Sequence, residues 1–247
     1  MNTILEVEHL SKSYPKFMLR DISFRVDAGS IMGFIGRNGA GKSTTLKCLL
    51  GLVHPSAGSI RYFGMDWQEH EHEIKQRIGF SGGAVDYYKR KKISDIIEVT
   101  KRFYDNWDEE LYRRYLRKFD LDLAKTPVEL SEGMKVKLNL LLALCHRAEL
   151  LILDEPTSGL DPVAREELVE IFKYLRSAGT AILFSTHITS DLEKCADDIT
   201  YLRDGQLIAS EQLVDFITYR RVRGFGNTLE KIMLHYEKEG LHERLDD

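Results

Sequence analysis

Residues 36–44 read GRNGAGKST, a glycine-rich stretch that lies between two apolar segments. The stretch fits the pattern G-x-x-x-x-G-K-[ST], in which glycines allow backbone N–H groups to converge on phosphate oxygens. The apolar run 31–35 before it predicts a strand, and the apolar residues after it predict a helix whose N-terminus attracts anions. A glycine turn without a ligand is the alternative, but the flanking strand and helix favour a phosphate-binding loop.

The residues of this loop have separate expected roles in holding a nucleotide. The Lys42 ammonium neutralises the β- and γ-phosphates, and the Ser43 hydroxyl can bind Mg²⁺. The other residues supply backbone N–H groups around the phosphates. The predicted nucleotide-binding residues of this stretch are Gly36, Arg37, Asn38, Gly39, Ala40, Gly41, Lys42, Ser43 and Thr44.

Three more short apolar runs, at 77–83, 150–156 and 181–187, end in polar or glycine residues as the run 31–36 does. Apolar runs of this length that alternate with helical segments predict buried strands of a parallel sheet. Ligands of such sheets bind beyond the carboxyl ends of the strands, so we expect the four ends to form one site. These ends carry Gly36, Gly82, Gly83, Asp154, Glu155 and His187.

The stretch LLILDEP, residues 150–156, places two adjacent carboxylates after an apolar strand. Side chains alternate along a strand, so the two carboxylates are expected to point in different directions. We expect Asp154 to hold Mg²⁺ through its water shell and Glu155 to act as a general base toward a water molecule. A helix cap or a surface charge is the alternative, but neither explains an acidic pair directly after a buried strand.

The remaining segments predict further elements around the parallel sheet. Residues 3–9 and 20–27 alternate like the strands of a small antiparallel layer. Residues 93–120 are typical of two helices within a helical insert at about 84–130. The stretch 202–209 predicts a hairpin with Asp-Gly in its turn.

Composition narrows the class of protein. With 247 residues, of which 43% are hydrophobic and 30% charged, the chain suits one large or two small globular domains. The net charge of −4 argues against a general nucleic-acid binder. No apolar run approaches the roughly 20 residues that span a bilayer, so we expect a soluble protein inside the cell. Cys48, Cys145 and Cys195 lie in apolar segments and are expected to be buried, reduced thiols.

A second glycine-containing helix start lies at 130–134, which read LSEGM. Ser131 is a suitable N-cap, and an apolar run follows from Val136 to Cys145. An ordinary helix start is one interpretation. However, the chain already contains one phosphate-binding loop, so a second helix start suited to anions needs an explanation.

The stretches NGAGKSTT, LSEGM, LILDEPTSGLDP and STH, in this order, resemble the ATP-binding subunit of an ABC transporter. The resemblance covers about residues 3–215. It implies an α/β fold: a P-loop NTPase core with a mostly parallel sheet, a small antiparallel β layer and a helical insert. It also implies an ATP-binding domain at 1–217, with a helical subdomain at about 84–147, and a C-terminal helical tail at 218–247.

The resemblance also assigns roles to residues outside the first loop. In this family the position of LSEGM binds the γ-phosphate of the ATP held by the other subunit of a head-to-tail dimer. Ser131 and Gly133 are the matching residues, which explains the second helix start. Tyr14 resembles the aromatic residue that stacks on adenine, and a rim or core tyrosine is the alternative. His187 resembles the histidine that contacts the γ-phosphate and orients the attack, and a structural histidine is the alternative. The loop that links the two sites is matched by Ser158, Gly159 and Asp161.

Two features depart from the family pattern. The family has a glutamine after the second strand, where it contacts Mg²⁺ and senses the membrane partner, and here Gly83 stands at that place. The LSEGM motif lacks a second glycine and a glutamine, and has Glu132 and Met134 instead. We expect ATP binding to survive both changes, and Glu132 to face away from the phosphate. Metal coordination and coupling to the membrane are the properties that these changes affect.

The function implied by the resemblance is that of an ATP-hydrolysing subunit that uses Mg²⁺ and drives separate membrane permease subunits. The sequences of residues 130–162 and 184–197 are similar to those of bacterial ABC-2-type exporters, so we expect the transporter to export its substrate. We expect a homodimer or heterodimer of ATPase subunits at the cytoplasmic face of the membrane, and no nucleic acid. The alternative is a non-transport ABC ATPase acting in DNA repair or on the ribosome, which typically has coiled-coil inserts or two cassettes in one chain. A simple nucleotide kinase, which shares the phosphate-binding loop, is a third alternative, but its reaction does not require the LSEGM and STH motifs.

Other segments carry weaker signals. The basic run 87–92 can contact lipid headgroups or a membrane subunit, or form a solvated loop. Asp161 and Pro162 predict a helix start, and Asn227 with Glu230 predicts a capping-box-like start of a tail helix. The apolar face of that tail helix is expected to dock on the body of the chain or on a second subunit. Its residues are Leu229, Ile232, Met233 and Tyr236.

Overall fold

The computed structural model describes residues 2–82 and 88–246, with side chains as far as Lys238. Gly83, the start of the helical insert at 84–87 and the first residue of the basic run therefore lie outside the described residues. Within them the chain forms ten strands and nine α-helices. The strands are β1 (Thr3–Tyr14), β2 (Phe17–Asp27), β3 (Ile31–Ile35), β4 (Ala57–Tyr62), β5 (Met65–Asp66), β6 (Ile78–Gly82), β7 (Leu150–Asp154), β8 (Ala181–Thr186), β9 (Asp198–Arg203) and β10 (Gln206–Gln212). The helices are α1 (Lys42–Leu49), α2 (Trp67–Arg77), α3 (Ile93–Lys101), α4 (Glu109–Phe119), α5 (Glu132–Leu144), α6 (Pro162–Ser177), α7 (Thr189–Cys195), α8 (Leu213–Val222) and α9 (Leu229–Asp246).

The ten strands join in the order β5–β4–β1–β2–β10–β9–β3–β8–β7–β6. From β9 to β6 neighbouring strands are parallel, whereas β1, β2, β4 and β5 form an antiparallel layer. The two parts meet where β10 pairs with β2, at Gln206 and Arg20. The predicted α/β fold, with its mostly parallel sheet and antiparallel layer, is confirmed, and β1 and β2 extend beyond the predicted bounds.

The register of the parallel strands brings the predicted strand ends to one edge. Ile35 at the end of β3 pairs with Thr186 at the end of β8. Asp154 at the end of β7 pairs with Ser185 on one side and Gly82 on the other. The polar residues that follow these strands therefore start from neighbouring positions, as the sequence predicts.

Successive residues of the central strands point into two cores, one on each face of the sheet. On β3, Ile31 and Ile35 belong to one apolar cluster, whereas Met32 and Phe34 belong to the other. The helical insert and α6 to α9 cover the first cluster. The antiparallel layer, α1 and Ile74 of α2 cover the second. Burial on both faces explains why these strands read as continuous apolar runs.

The helical insert contains the two helices predicted within 93–120, followed by α5. The carboxylate of Asp108 caps α4 by accepting hydrogen bonds from the N–H groups of Glu110 and Leu111, both at 2.9 Å. The predicted hairpin is also present, and β9 and β10 are longer than predicted. Asp204 and Gly205 in its turn have φ of 49° and 77°, the left-handed conformations that a tight hairpin turn requires.

The C-terminal tail packs on the chain's own core. Leu229 and Ile232 are fully buried, and Met233 and Tyr236 pack against the same cluster. The predicted capping box of Asn227 and Glu230 is wrong. Instead, the Thr228 hydroxyl accepts from the Lys231 N–H, and the Glu193 carboxylate of α7 accepts from the Leu229 N–H at 2.5 Å. A distant side chain therefore helps to set where α9 begins.

Two further expectations can be compared with the described residues. All three cysteines are buried free thiols, as predicted. None of the helices in the described part of the chain is both long enough and apolar enough to cross a membrane. The expected boundary between domain and tail, at 217/218, falls inside α8.

Candidate nucleotide-binding site

The phosphate-binding loop connects β3 to α1, and its glycines adopt conformations that other residues rarely reach. Gly36 and Gly41 have φ of 152° and 113°. A Cβ at Gly36 would lie 2.4 Å from the carbonyl oxygen of Leu202, and a Cβ at Gly41 would lie 2.8 Å from the Leu19 side chain. Both backbone strain and close packing therefore require glycine at these two positions. The loop is held in place by the Gly205 N–H, which donates to the Ala40 carbonyl at 3.0 Å.

Lys42 is the buried cation of this loop. Only 6% of the residue is exposed, and its Nζ donates to the carbonyl oxygens of Gly36 at 2.6 Å and Arg37 at 3.3 Å. Burial lowers the pKa of Lys42, and the carboxylates of Glu155 and Asp154 act in the opposite direction. Lys42 is therefore folded back on loop carbonyls, from which it can turn to an anionic ligand.

A cleft of about 700 Å³ opens beside the loop and collects most of the predicted residues. Seven residues of the loop and helix start line it together with residues from the ends of β6 and β7 and the aromatic ring of Phe17. Its lining is Phe17, Arg37, Asn38, Gly39, Gly41, Lys42, Ser43, Thr44, Gly82, Asp154 and Glu155. The cleft therefore places a cationic loop opposite the acidic pair.

The acidic pair is oriented by Ser185 of β8, which the sequence reasoning missed. The Ser185 hydroxyl donates to Asp154 Oδ1 at 2.5 Å and accepts from the Glu155 N–H at 3.1 Å. Glu155 has a left-handed backbone, with φ of 51°, so the chain turns sharply between the two carboxylates. The two carboxylates consequently bond different partners, and the turn at Glu155, beyond the end of β7, separates them instead of the expected alternation along a strand. The serine in FSTH is the only signal for Ser185, and sequence alone does not show that it faces β7.

His187 lies beside the second carboxylate. Its Nδ1 is 2.7 Å from Glu155 Oε2, and 54% of the histidine side chain is exposed. The two predicted catalytic residues, 32 positions apart in the chain, are therefore in direct contact. This contact fixes the direction of one carboxylate oxygen and leaves the other available.

The predicted adenine-stacking residue lies next to the cleft rather than in its lining. Tyr14 ends β1 and pairs across the hairpin with Phe17. The Lys12 ammonium lies 5.4 Å from the centre of the Tyr14 ring. Among the described residues that line the cleft, the aromatic one is Phe17. The stacking role of Tyr14 stays a prediction, and the structure adds Phe17 as a second candidate.

Ser131 and Gly133 lie in a different part of the surface. The Ser131 hydroxyl caps α5 by accepting from the Met134 N–H at 3.3 Å, as predicted. These two residues line a separate small cleft of about 170 Å³ with Leu160 and Ala164, and none of its lining residues also lines the nucleotide cleft. LSEGM therefore does not complete the nucleotide cleft of its own chain.

The neighbours of LSEGM explain how one of its two unusual residues, Glu132, is accommodated. The Glu132 carboxylate is 2.6 Å from the Lys135 ammonium on the same helix. The Asp161 carboxylate accepts from the N–H groups of Val163 and Ala164, which starts α6 beside the small cleft. Glu132 therefore has a cationic partner along its own helix.

The donor atoms in the nucleotide cleft fit Mg²⁺. The Ser43 hydroxyl and the Asp154 carboxylate are hard oxygen ligands that line the same cleft. Mg²⁺ in nucleotide sites is held by one or two such protein groups, while phosphates and water complete its coordination. The Ser185 hydroxyl engages one Asp154 oxygen, so the other is available to the metal or its water shell.

Comparisons with known proteins identify the family of the chain. A family model described as ABC transporter matches residues 19–158. The chain is 35% identical over 212 residues to the lantibiotic transport ATP-binding protein SrtF of Streptococcus pyogenes, covering 85% of this chain and 91% of SrtF. It is 32% identical over 212 residues to the bacitracin transport ATP-binding protein BcrA of Enterococcus faecalis, covering 84% of this chain and 69% of BcrA.

A solved structure described as the ATP binding subunit of an ABC transporter has the same fold. It superposes with a TM-score of 0.83 at 32% identity, over 94% of this chain and 98% of the other. The family match covers the phosphate-binding loop, LSEGM and the acidic pair. The chain therefore belongs to the ABC transporter family, as one of its ATP-binding subunits.

Proposed function

We propose that this subunit hydrolyses Mg²⁺-ATP in a head-to-tail dimer with a second ATPase subunit, and that hydrolysis drives membrane permease subunits. The observation that carries the proposal is the contact of Glu155 with His187 at 2.7 Å, at the edge of the cleft that holds Lys42. A base, a polar group that orients it and a phosphate-binding cation are the parts that phosphoryl transfer to water requires.

The residues of the nucleotide cleft have separate roles in the proposed reaction. The loop N–H groups and Lys42 bind the phosphates, and the Glu155 carboxylate accepts the proton of the attacking water. His187 fixes Glu155 through its Nδ1 contact, and the family resemblance gives it a second role as a contact of the γ-phosphate. Phe17, with Tyr14 of the same hairpin as the alternative suggested by family resemblance, supplies the surface for adenine.

Mg²⁺ would be held by Ser43 and Asp154, and when bound it neutralises phosphate charge as the leaving group departs. Ser185 keeps Asp154 in position by a short hydrogen bond of 2.5 Å. This support matters because a carboxylate that rotates freely would bind the metal less tightly.

The separation of the two clefts supports a dimer. Ser131 and Gly133 lie outside the nucleotide cleft, although LSEGM is a helix start suited to an anion. A second ATPase subunit, whether identical or not, can bring its own Ser131-like position to the open side of this cleft. Each ATP would then lie between two subunits.

The relatives and the surface support a membrane partner. SrtF and BcrA are named for lantibiotic and bacitracin transport, which supports an exporter. Phe80 and Phe103, which are 44% and 72% exposed, are apolar side chains that a protein partner can cover. We place the subunit at the cytoplasmic face of the membrane, against permease subunits that select the substrate.

The Glu155→Gln variant tests the catalytic part of this proposal. The amide can keep a hydrogen bond to His187 but cannot accept the proton of water, so ATP binding should remain while turnover falls by about 10²–10⁴. Phosphate release measures turnover, and calorimetric titration with Mg²⁺-ATP measures binding. Normal turnover would assign the base to another residue, and lost binding would show that Glu155 holds the nucleotide instead.

A further inference from the structure

A second large cleft, which we name the tail cleft, lies between the phosphate-binding loop, α7 and α9. Its volume is about 720 Å³, and its lining includes Arg37, His187, Glu230 and Glu237. Among the described lining residues, Arg37 is the one shared with the nucleotide cleft. His187 of the tail cleft also contacts Glu155 of the nucleotide cleft. The two clefts therefore adjoin on the side of the catalytic residues.

Arg37, the residue that the two clefts share, is held on the side of the tail cleft by an ion pair. Arg37 Nη1 donates to Glu237 Oε2 of α9 at 3.1 Å. The Arg37 side chain is 72% exposed and the Glu237 side chain only 18%. The other Glu237 oxygen accepts from the Tyr201 hydroxyl at 3.3 Å. Glu237 is therefore the fixed partner of the pair, and Arg37 is the partner that can move.

The fixed position of Glu237 depends on how α9 is anchored. Arg203 Nη1 donates to the Tyr236 carbonyl at 2.8 Å, and Arg220 Nε donates to the Tyr236 hydroxyl at 3.0 Å. Ile232, one turn earlier, is fully buried. Tyr236 directly precedes Glu237, so these contacts hold the carboxylate in front of the phosphate-binding loop.

We propose that Glu237 is a positioning residue that withholds the Arg37 guanidinium from the nucleotide, so that α9 sets the affinity of the nucleotide cleft. This inference rests on the proposed function, because it takes the ligand of the cleft to be a polyphosphate. Loss of the Glu237 charge favours an anion in the nucleotide cleft because it releases Arg37, whose guanidinium is attracted to the phosphates and which already lines that cleft.

The test uses the full chain with Glu155→Gln as background, so that ATP is not consumed during a calorimetric titration. Adding Glu237→Gln should lower the Kd for Mg²⁺-ATP by about two- to fivefold, since partly exposed ion pairs contribute up to about fivefold in an equilibrium. The effect should shrink at high salt, where such charges are screened. Glu237→Asp keeps the charge but shortens the side chain. Its Kd should lie between that of the Glu155→Gln background and that of the protein with Glu237→Gln added.

Two controls separate this role from a structural or a general electrostatic one. Glu230→Gln removes the same charge from the same helix and the same cleft, and should change the Kd less. In an Arg37→Gln background, Glu237→Gln should have little effect, because Glu237 acts through Arg37. An unchanged or higher Kd for Glu237→Gln, an equal shift for Glu230→Gln, or a shift that persists without Arg37 would each overturn the inference. If the background protein itself fails to bind Mg²⁺-ATP, the proposed function fails with it.

Discussion

In the head-to-tail dimer that we propose, each ATP would lie between the phosphate-binding loop of one subunit and LSEGM of the other. Two variants damage opposite halves of this arrangement. Lys42→Ala removes the buried ammonium of the loop, and Ser131→Arg places a long side chain at the helix start that would face the partner's phosphate in this dimer. Each variant alone should be nearly inactive, because every site in its homodimer has one defective half.

A mixture of the two variants should regain activity. Ser131 lies on the surface, and its hydroxyl makes a cap hydrogen bond of 3.3 Å, so the substitution should cost only about 1 kcal/mol of helix stability. With random pairing, about half of the dimers are mixed, and each mixed dimer has one site with an intact loop and an intact LSEGM. If the sites act independently, the mixture should reach about one quarter of the wild-type rate.

The assay is phosphate release after the separately purified variants are mixed in equal amounts. The matched control mixes Lys42→Ala with the double variant Lys42→Ala/Ser131→Arg, since no pairing of these chains contains an intact loop. This control should stay inactive. A mixture of the single variants that also stays inactive, together with Glu155→Gln remaining monomeric in ATP by light scattering, would refute the dimer model. LSEGM would then be only the start of a helix.

Three further outcomes follow from the geometry. Ser185→Ala should lower the free energy of unfolding by about 1–3 kcal/mol in urea, because the Asp154 carboxylate loses a short hydrogen bond, whereas Ser177→Ala at an exposed helix end should cost less. Phe17→Ala should weaken Mg²⁺-ATP binding by about five- to 100-fold through lost base stacking, and a larger loss in Tyr14→Ala would assign the adenine to the tyrosine instead. Burial lowers the pKa of His146 below its ordinary value of 6.5, so the unfolded chain binds a proton more readily than the folded chain. The free energy of unfolding should therefore fall as the pH drops from about 7.5 to about 5.5. A His146→Gln variant should lose part of this pH dependence. If its urea midpoints depend on pH as those of the unmodified protein do, His146 is not the group responsible.

Much of the nucleotide site could be predicted because its parts have local signals. The loop from Gly36 to Thr44 carries its own pattern, and Asp154 and Glu155 directly follow an apolar strand. Parallel strands then place such ends at one edge without further information. The contact of Glu155 with His187 follows from this topology, although its distance does not.

The residues that sequence reasoning missed act over long separations. Ser185 supports Asp154 only because β7 and β8 are neighbours in a particular register. Glu193 binds the start of α9 from a different helix, so a local capping pattern pointed to the wrong residue. Arg37 and Glu237 are 200 positions apart, and no periodicity or motif connects them. Local patterns predict elements, whereas these contacts depend on how the elements are packed.

The junction between the two parts of the sheet has a consequence for how the molecule responds to its ligand. The antiparallel layer joins the parallel block through the pairing of Gln206 with Arg20, and the Arg20 N–H donates to the Gly205 carbonyl at 2.7 Å. The nucleotide cleft spans this junction, because Phe17 comes from the antiparallel layer and the acidic pair from the parallel block. A ligand that contacts both parts adds its binding energy to this backbone pairing and to the apolar core that the two parts share. We therefore expect a bound nucleotide to hold the two parts together, so that they unfold together at a higher denaturant concentration than in the empty protein.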